Sequence, residues 1–206
     1  MKKVMIRGFA AILGAVLLIL CVSCGSATVN DSSYTEDEYK AEMVIKDYGT
    51  ITLTLNHKEA PLTVEHFMKL AKDGSYDGTV INRMQAGFVL QGGDKCKDTS
   101  TVKGEFKSNG VENNIEHKKG VISMARSTDP NSASSQFFIV LDDAAQPSLD
   151  GSYAGFGKVT EGWDVIEKIC ADLTAENFAE DYYGQIMGFL KEDSQIVIES
   201  VKIPED

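Results

Sequence analysis

Positive charge is in short supply. The 206 residues hold 20 Lys and Arg against 31 Asp and Glu, a formal net charge of −11. Three of those cations, Lys2, Lys3 and Arg7, fall within the first 23 residues, which carry no acid, so the rest of the chain is more acidic still. A nucleic-acid partner needs a basic face to offset phosphate charge, and this balance argues against one. Attraction to anionic lipid headgroups is excluded on the same ground, so any membrane attachment must work by other means. Cysteine is scarce as well. Positions 21, 24, 96 and 170 give neither a disulfide framework nor a zinc spacing; Cys96 and Cys170 are expected as separate thiols, with a pairing outside the cytoplasm as the alternative. The three histidines, His57, His66 and His117, share no metal-ligand spacing and accompany no nucleophile in a known motif. Gly92-Gly93 and Gly155-Phe156-Gly157 lack the Gly-Lys-Ser/Thr ending and the strand-to-helix spacing of phosphate loops. No metal and no cofactor is expected, and the inventory favours a reaction without covalent catalysis.

Apolar length is concentrated at the start. Gly8 to Val22 carries no charge, follows a short basic segment and precedes the small residues Ser23, Cys24, Gly25 and Ser26, the order of a secretory leader. The alternative is an uncleaved anchor, but the run is about 15 residues and a spanning helix needs roughly 18 or more. Val22-Ser23-Cys24-Gly25 resembles the lipobox of bacterial lipoproteins, with Cys21 where that family prefers Leu. The resemblance implies a signal peptide over 1–23, a diacylglyceryl group on Cys24 and an extracytoplasmic protein held to the bacterial cell membrane. A plain signal peptide ending at a free Cys24 is the other reading. Residues 24–42 are mostly Ser, Thr, Asn, Asp and Glu, too polar to bury much surface, and read as a flexible tether with Tyr34 and Tyr39 as its only docking hints.

The pattern changes at Met43, and the folded domain is expected over 43–206. Met43–Lys46 and Gly49–Leu55 alternate with period two across a turn at Asp47-Tyr48-Gly49, which predicts a hairpin. Ala60–Ala71 predicts a helix, with Pro61 near its start, Val64, Phe67, Leu70 and Ala71 on one face, and Gly74 beyond its end. Further strands are predicted near 79–83, 88–92, 120–125, 136–141, 154–160 and 195–203, and a second helix over Trp163–Ala171. Many short strands with two helices and no internal repeat predict a mainly β, closed antiparallel barrel. The acidic stretch Leu173–Asp193 predicts an extra helix at 179–190, or a partner surface.

Two segments carry most of the chemistry: Arg83-Met84-Gln85-Ala86-Gly87-Phe88-Val89-Leu90-Gln91-Gly92-Gly93-Asp94 and Ser134-Ser135-Gln136-Phe137-Phe138-Ile139. Each sets long polar side chains among large apolar ones on a predicted strand, which suits a shallow apolar pocket with aimed hydrogen-bond donors. Alternation puts Val89 with Gln91 and Gln136 with Phe138, leaving Phe137 and Ile139 for the interior. Alone, an arginine on a strand is usually a solvated edge residue, and Phe88, Phe138 and Leu149 would more often be core. With Gly155-Phe156-Gly157-Lys158-Val159, however, their joint order resembles the signature of the cyclophilin-type peptidyl-prolyl cis-trans isomerases, over about residues 43–203.

That resemblance implies an eight-stranded barrel capped by two α-helices and acceleration of X-Pro rotation in proline-containing peptides and folding proteins. It implies Arg83 as the catalytic arginine, with Phe88 and Gln91 beside it. Phe88, Val89, Phe138 and Leu149 match the family's walls for the proline ring. Ala125 and Arg126 match the edge that pairs, chiefly through its main chain, with the residue before proline. Gln136 matches a polar contact, and Tyr153 stands where many eukaryotic members have histidine. Val89 stands for their methionine and Ser148 for their tryptophan, which implies weak binding of cyclosporin. The loop at 95–101 is poorer in glycine than the family's. A monomer is expected. A non-enzymatic module that merely holds a proline segment is the rival reading, and a hydrolase ranks far behind.

Overall fold

The computed structural model describes residues 34–180 and 186–204. The expected leader over 1–23, Cys24 and the first part of the tether lie outside the described residues. The chain forms strands β1 (Glu38–Ile45) and β2 (Gly49–Asn56), helix α1 (Pro61–Lys72), then β3 (Val80–Ile81), β4 (Arg83–Gln85), β5 (Val89–Gly92), β6 (Val121–Met124) and β7 (Phe137–Val140). A short α2 (Gln146–Leu149), β8 (Gly155–Glu161), α3 (Trp163–Asp172), β9 (Phe178–Glu180), β10 (Ile186–Leu190) and β11 (Ile196–Lys202) complete it. Both expected helices and each expected strand region are present.

Two expectations need correction. The expected tether boundary at 42/43 falls inside β1, which pairs with β2 from Glu38 opposite Asn56 onward. Residues 38–42 are polar because they alternate: Ala41 is buried between the exposed Glu38, Lys40 and Glu42. Tyr39 packs edge-on to His57 (centroids 5.6 Å apart) and to Tyr34 (5.8 Å). The second correction concerns the barrel. Among the described residues the hydrogen-bonded order is β3-β11-β1-β2-β8-β6-β7-β5-β4-β10-β9, an open order of 11 strands rather than a closed one of eight.

Both causes of the larger count are pairings with strands distant in sequence. The stretch 80–85 is cut at Asn82, whose N–H donates to the Gln91 carbonyl (3.1 Å) while its own carbonyl accepts from Leu190 (2.8 Å). Its outer edge therefore passes from β11, which pairs with β3, to β10, which pairs with β4. The 173–193 stretch forms β9 and β10 rather than the expected helix, because β4 offers an unpaired edge that a strand can satisfy and a helix cannot.

The core lies inside the curved sheet under α1. Phe67 of that helix meets Tyr76 (5.0 Å), Phe156 (5.2 Å) and Phe137 (6.1 Å), and Leu53, Leu55, Leu90 and Ile139 close around them. The helix lacks a local N-cap side chain. Its first amides are satisfied instead by Glu105, only 2% exposed, which accepts from Leu62 N (3.1 Å), Thr63 N (2.8 Å) and the Thr63 hydroxyl (2.6 Å). A buried carboxylate there answers both the orphan donors and the positive end of the helix dipole. Cys96 and Cys170 are free thiols.

Candidate active site

Residues directly opposed in an antiparallel ladder present their side chains on the same face. Ser123 faces Phe138, Phe138 faces Gln91, Gln91 faces Arg83 and Arg83 faces Phe189, so one row crosses five strands from β6 to β10. Their neighbours Phe137, Leu90 and Met84 turn inward to the core. Two residues along, Val140, Val89 and Gln85 return to the outer face.

On this outer face sits a second apolar cluster, separate from the core: Val89, Val121, Phe138, Val140, Ala145 and Leu149 are buried, and Phe88, Ala125 and Tyr153 pack against them half-buried. Short α2 delivers Leu149. The Phe138 ring is fixed between Tyr153, edge-on at 5.5 Å, and His117, stacked at 6.1 Å. Arg126 lays its guanidinium over Tyr153 (4.9 Å) and Phe106 (5.0 Å) and donates to the carbonyls of Ser152 (2.9 Å) and Ser127 (2.8 Å). Its side chain is thus committed to holding Tyr153, which leaves its main chain for any ligand. The Ala125 amide is bonded to the Gln136 carbonyl at 2.9 Å.

Beside this cluster runs a polar chain. Asp94 accepts from Gln136 Nε2 (2.9 Å), Gln136 Oε1 accepts from Gln91 Nε2 (2.8 Å), and Gln91 Oε1 accepts from Arg83 Nη1 at a longer 3.4 Å. Arg83 Nη2 also donates to Gln85 Oε1 at 2.7 Å. Arg83 is half-buried, and loss of water pulls its pKa below the ordinary arginine value, against a smaller opposing influence of Tyr153. It remains cationic at neutral pH. The tight strand ends that aim these groups depend on Gly93: its φ is +80°, and a Cβ there would lie 2.4 Å from the Ser135 carbonyl oxygen.

Every expected site residue in the described part therefore reaches one face: Arg83, Gln91, Phe138 and Gln136 in or beside the row, and Phe88, Val89, Ala125, Arg126, Leu149 and Tyr153 around the apolar cluster. Three features went unread in the sequence. Gln85, not Gln91, is the closer partner of Arg83, and its shared parity with Arg83 was a usable signal. Phe189 joins the row from the 173–193 insertion, which no spacing within the motifs announces. Third, Ser123, His117 and Asp150 form a hydrogen-bonded chain: His117 Nδ1 donates to Asp150 (2.9 Å) and His117 Nε2 accepts from the Ser123 hydroxyl (2.9 Å).

That trio has the connectivity of a hydrolytic triad. Ser123 is 0% exposed and His117 1%, so no peptide carbonyl can reach the hydroxyl. The trio sits behind Phe138 and ties the Asp150 loop to β6. His66 of α1 is half-buried and donates through Nε2 to the Ser134 carbonyl (2.8 Å) at the entry to β7. Among the described residues, no group of three His, Cys, Asp or Glu side chains gathers as metal ligands would.

Comparison with known proteins points one way. Residues 40–187 match the family described as cyclophilin type peptidyl-prolyl cis-trans isomerase/CLD. The chain is 40% identical over 128 residues to a peptidyl-prolyl cis-trans isomerase of Streptomyces antibioticus, covering 59% of this chain and 77% of that one. It is 36% identical over 170 residues to a probable peptidyl-prolyl cis-trans isomerase of Brucella suis, covering 77% and 85%. In fold it is similar to the crystal structure of a cyclophilin-type isomerase from Cryptosporidium parvum solved in the presence of the dipeptide Ala-Pro: TM-score 0.61 and 24% identity over 81% of this chain and 99% of that one.

Proposed function

Because the chain belongs to the cyclophilin-type peptidyl-prolyl cis-trans isomerases, we propose that it accelerates X-Pro rotation in proteins folding outside the cytoplasm, held to the bacterial cell membrane by a lipid on Cys24. The observation that carries the catalytic part is the row itself, which sets the half-buried Arg83 beside the apolar notch of Val89, Phe138 and Leu149.

Rotation about X-Pro is slow because the amide nitrogen lone pair is delocalised into the carbonyl, giving a barrier of about 18–20 kcal/mol. A proline ring seated against Phe88, Val89, Phe138 and Leu149 brings its nitrogen toward Arg83. A guanidinium N–H directed at that nitrogen favours the twisted state in which the lone pair is localised. Partial burial strengthens the effect, since water competes less for the donor, and each 1.4 kcal/mol removed from the barrier is about tenfold in rate. Gln91 steadies the guanidinium and offers its amide to the substrate backbone, with Gln136 and Asp94 fixing its orientation in turn. The edge at Ala125 and Arg126 supplies main-chain contacts to the residue before proline, and Tyr153 closes that side. No bond is made or broken, which suits a site whose one serine–histidine pair is sealed.

Proline-containing segments of unfolded or folding proteins are the proposed substrates, bound by a monomer. The parvum relative's structure, solved in the presence of Ala-Pro, supports that ligand class. A protease-coupled assay on a short X-Pro peptide tests the activity: turnover well above the uncatalysed rate is expected, and its absence would leave only the binding-module reading. The location rests on the leader and the Cys24 motif. Intact mass of the membrane-extracted protein should show residues 1–23 removed and a diacylglyceryl group on Cys24; an unmodified Cys24 would overturn the anchor.

A further inference from the structure

The 173–193 insertion does more than lengthen the sheet. Its strand β10 runs along the outer edge of β4 and sets Phe189 directly opposite Arg83, on the face that carries Gln91 and Phe138. The Phe189 ring is 48% exposed, one of two large apolar side chains so placed among the described residues. It covers the guanidinium of Arg83, with that carbon 5.5 Å from the ring centroid. Its position is fixed from both sides. Leu190 is 4% exposed and its amide donates to the Asn82 carbonyl (2.8 Å). Gly188 has φ +81° and approaches β4 so closely that a Cβ would lie 2.6 Å from the Met84 carbonyl oxygen. A half-exposed ring packed on Arg83 by one face, on a backbone held from both sides and at the end of the row on which a substrate would lie, is placed to receive a ligand side chain on its open face.

We infer that Phe189 is a specificity-determining residue, contributed by the insertion, that receives an apolar or aromatic side chain of the substrate a few residues from the proline. This rests on the isomerase reading of the same row. Strands lie about 4.8 Å apart, so Phe189 stands roughly 10 Å from Gln91, while an extended peptide advances about 3.3 Å per residue. Phe138 lies one strand further, roughly 14 Å away, so a peptide whose proline sits over Phe138 and Val89 meets the Phe189 ring with a side chain three or four residues away. Stacking between the two apolar groups adds binding, and the ring also limits the rotamers open to Arg83, which keeps the guanidinium over the notch.

The test is a panel of X-Pro peptides in which Phe or Ala occupies, in turn, the second, third and fourth positions on each side of the proline. Exchange NMR, which needs no protease, gives the isomerisation rate for each. The wild-type protein is expected to favour Phe over Ala by about three- to tenfold in kcat/KM at one of these positions, the range of an exposed aromatic pair. Phe189→Ala should erase that preference and Phe189→Leu should keep part of it. The inference is overturned if the wild type shows no preference at any position, or if Phe189→Ala retains it. A loss of rate by Phe189→Ala that is equal across the panel also overturns it, because the ring would then act on Arg83 alone. Should the wild type isomerise none of the peptides, the isomerase reading falls and takes this inference with it.

Discussion

Replacing Gln91 or Gln85 by alanine separates distance from burial as the quality that makes a partner of Arg83 matter. By distance Gln85 should matter more, since it accepts from Nη2 at 2.7 Å while Gln91 accepts from Nη1 at 3.4 Å. By environment the order reverses. Gln85 is exposed, so water takes over the lost acceptor, and Gln85→Ala should change kcat/KM by less than about twofold. Gln91 is half-buried and joined at 2.8 Å to Gln136, which is joined at 2.9 Å to Asp94. Gln91→Ala removes a net hydrogen bond of about 1 kcal/mol, leaves Gln136 Oε1 without its donor and takes one acceptor from Arg83 in a partly dry row. A loss of about 1–2 kcal/mol in transition-state stabilisation follows, or about 5- to 30-fold in kcat/KM. Gln136→Ala should fall between the two and be non-additive with Gln91→Ala, since both remove the same link. The assay is peptide isomerisation beside a thermal melt, and none of the three variants should shift the melt much. Gln85→Ala proving more damaging than Gln91→Ala would refute the reasoning.

Three further outcomes are expected. Glu105→Ala should lower unfolding stability by about 2–4 kcal/mol in a denaturant titration, because one buried carboxylate satisfies two helix amides and a hydroxyl, while the folded fraction keeps its activity. Burial holds the His117 and His66 pKa values below the ordinary 6.5, so below that pH the unfolded chain binds more protons than the folded one. Stability should therefore be full above about pH 6.5 and decline as the pH falls from there toward the lowered values, and His117→Asn should flatten the slope. Cyclosporin should bind weakly in a calorimetric titration, and Ser148→Trp, at an exposed position beside Leu149, should tighten it.

Legibility in the sequence followed physical locality. Strands and helices that carry their own periodicity were readable: Phe137 and Ile139 do face the core and Phe138 does not, because a pleated strand alternates whatever surrounds it. The expected roles of the site residues came from the family resemblance, while the alternation that pairs Val89 with Gln91 and Gln136 with Phe138 was readable from the strands themselves. What failed depended on neighbours distant in sequence. Residues 38–42 look like a polar tether until β2 supplies a partner that buries Ala41. The break at Asn82 arises from two competing edge strands, β11 and β10, and neither is visible from the residues at 80–85. Residues 186–190 are apolar enough to suit a helix, yet the open edge of β4 draws them into β10, and only that pairing places Phe189 over Arg83. Ser123, His117 and Asp150 are chemically suggestive only once the fold joins them, and the same fold seals them from substrate.

Arg83→Ala, with Arg83→Lys beside it, tests the central claim most directly by exchange NMR on an X-Pro peptide. The account expects a loss of about a hundredfold or more in kcat/KM for alanine, the scale of one aimed donor in a partly dry site. Lysine should recover little of it, since it keeps the charge but not the planar fork. Unchanged rates in a folded Arg83→Ala protein would contradict the account.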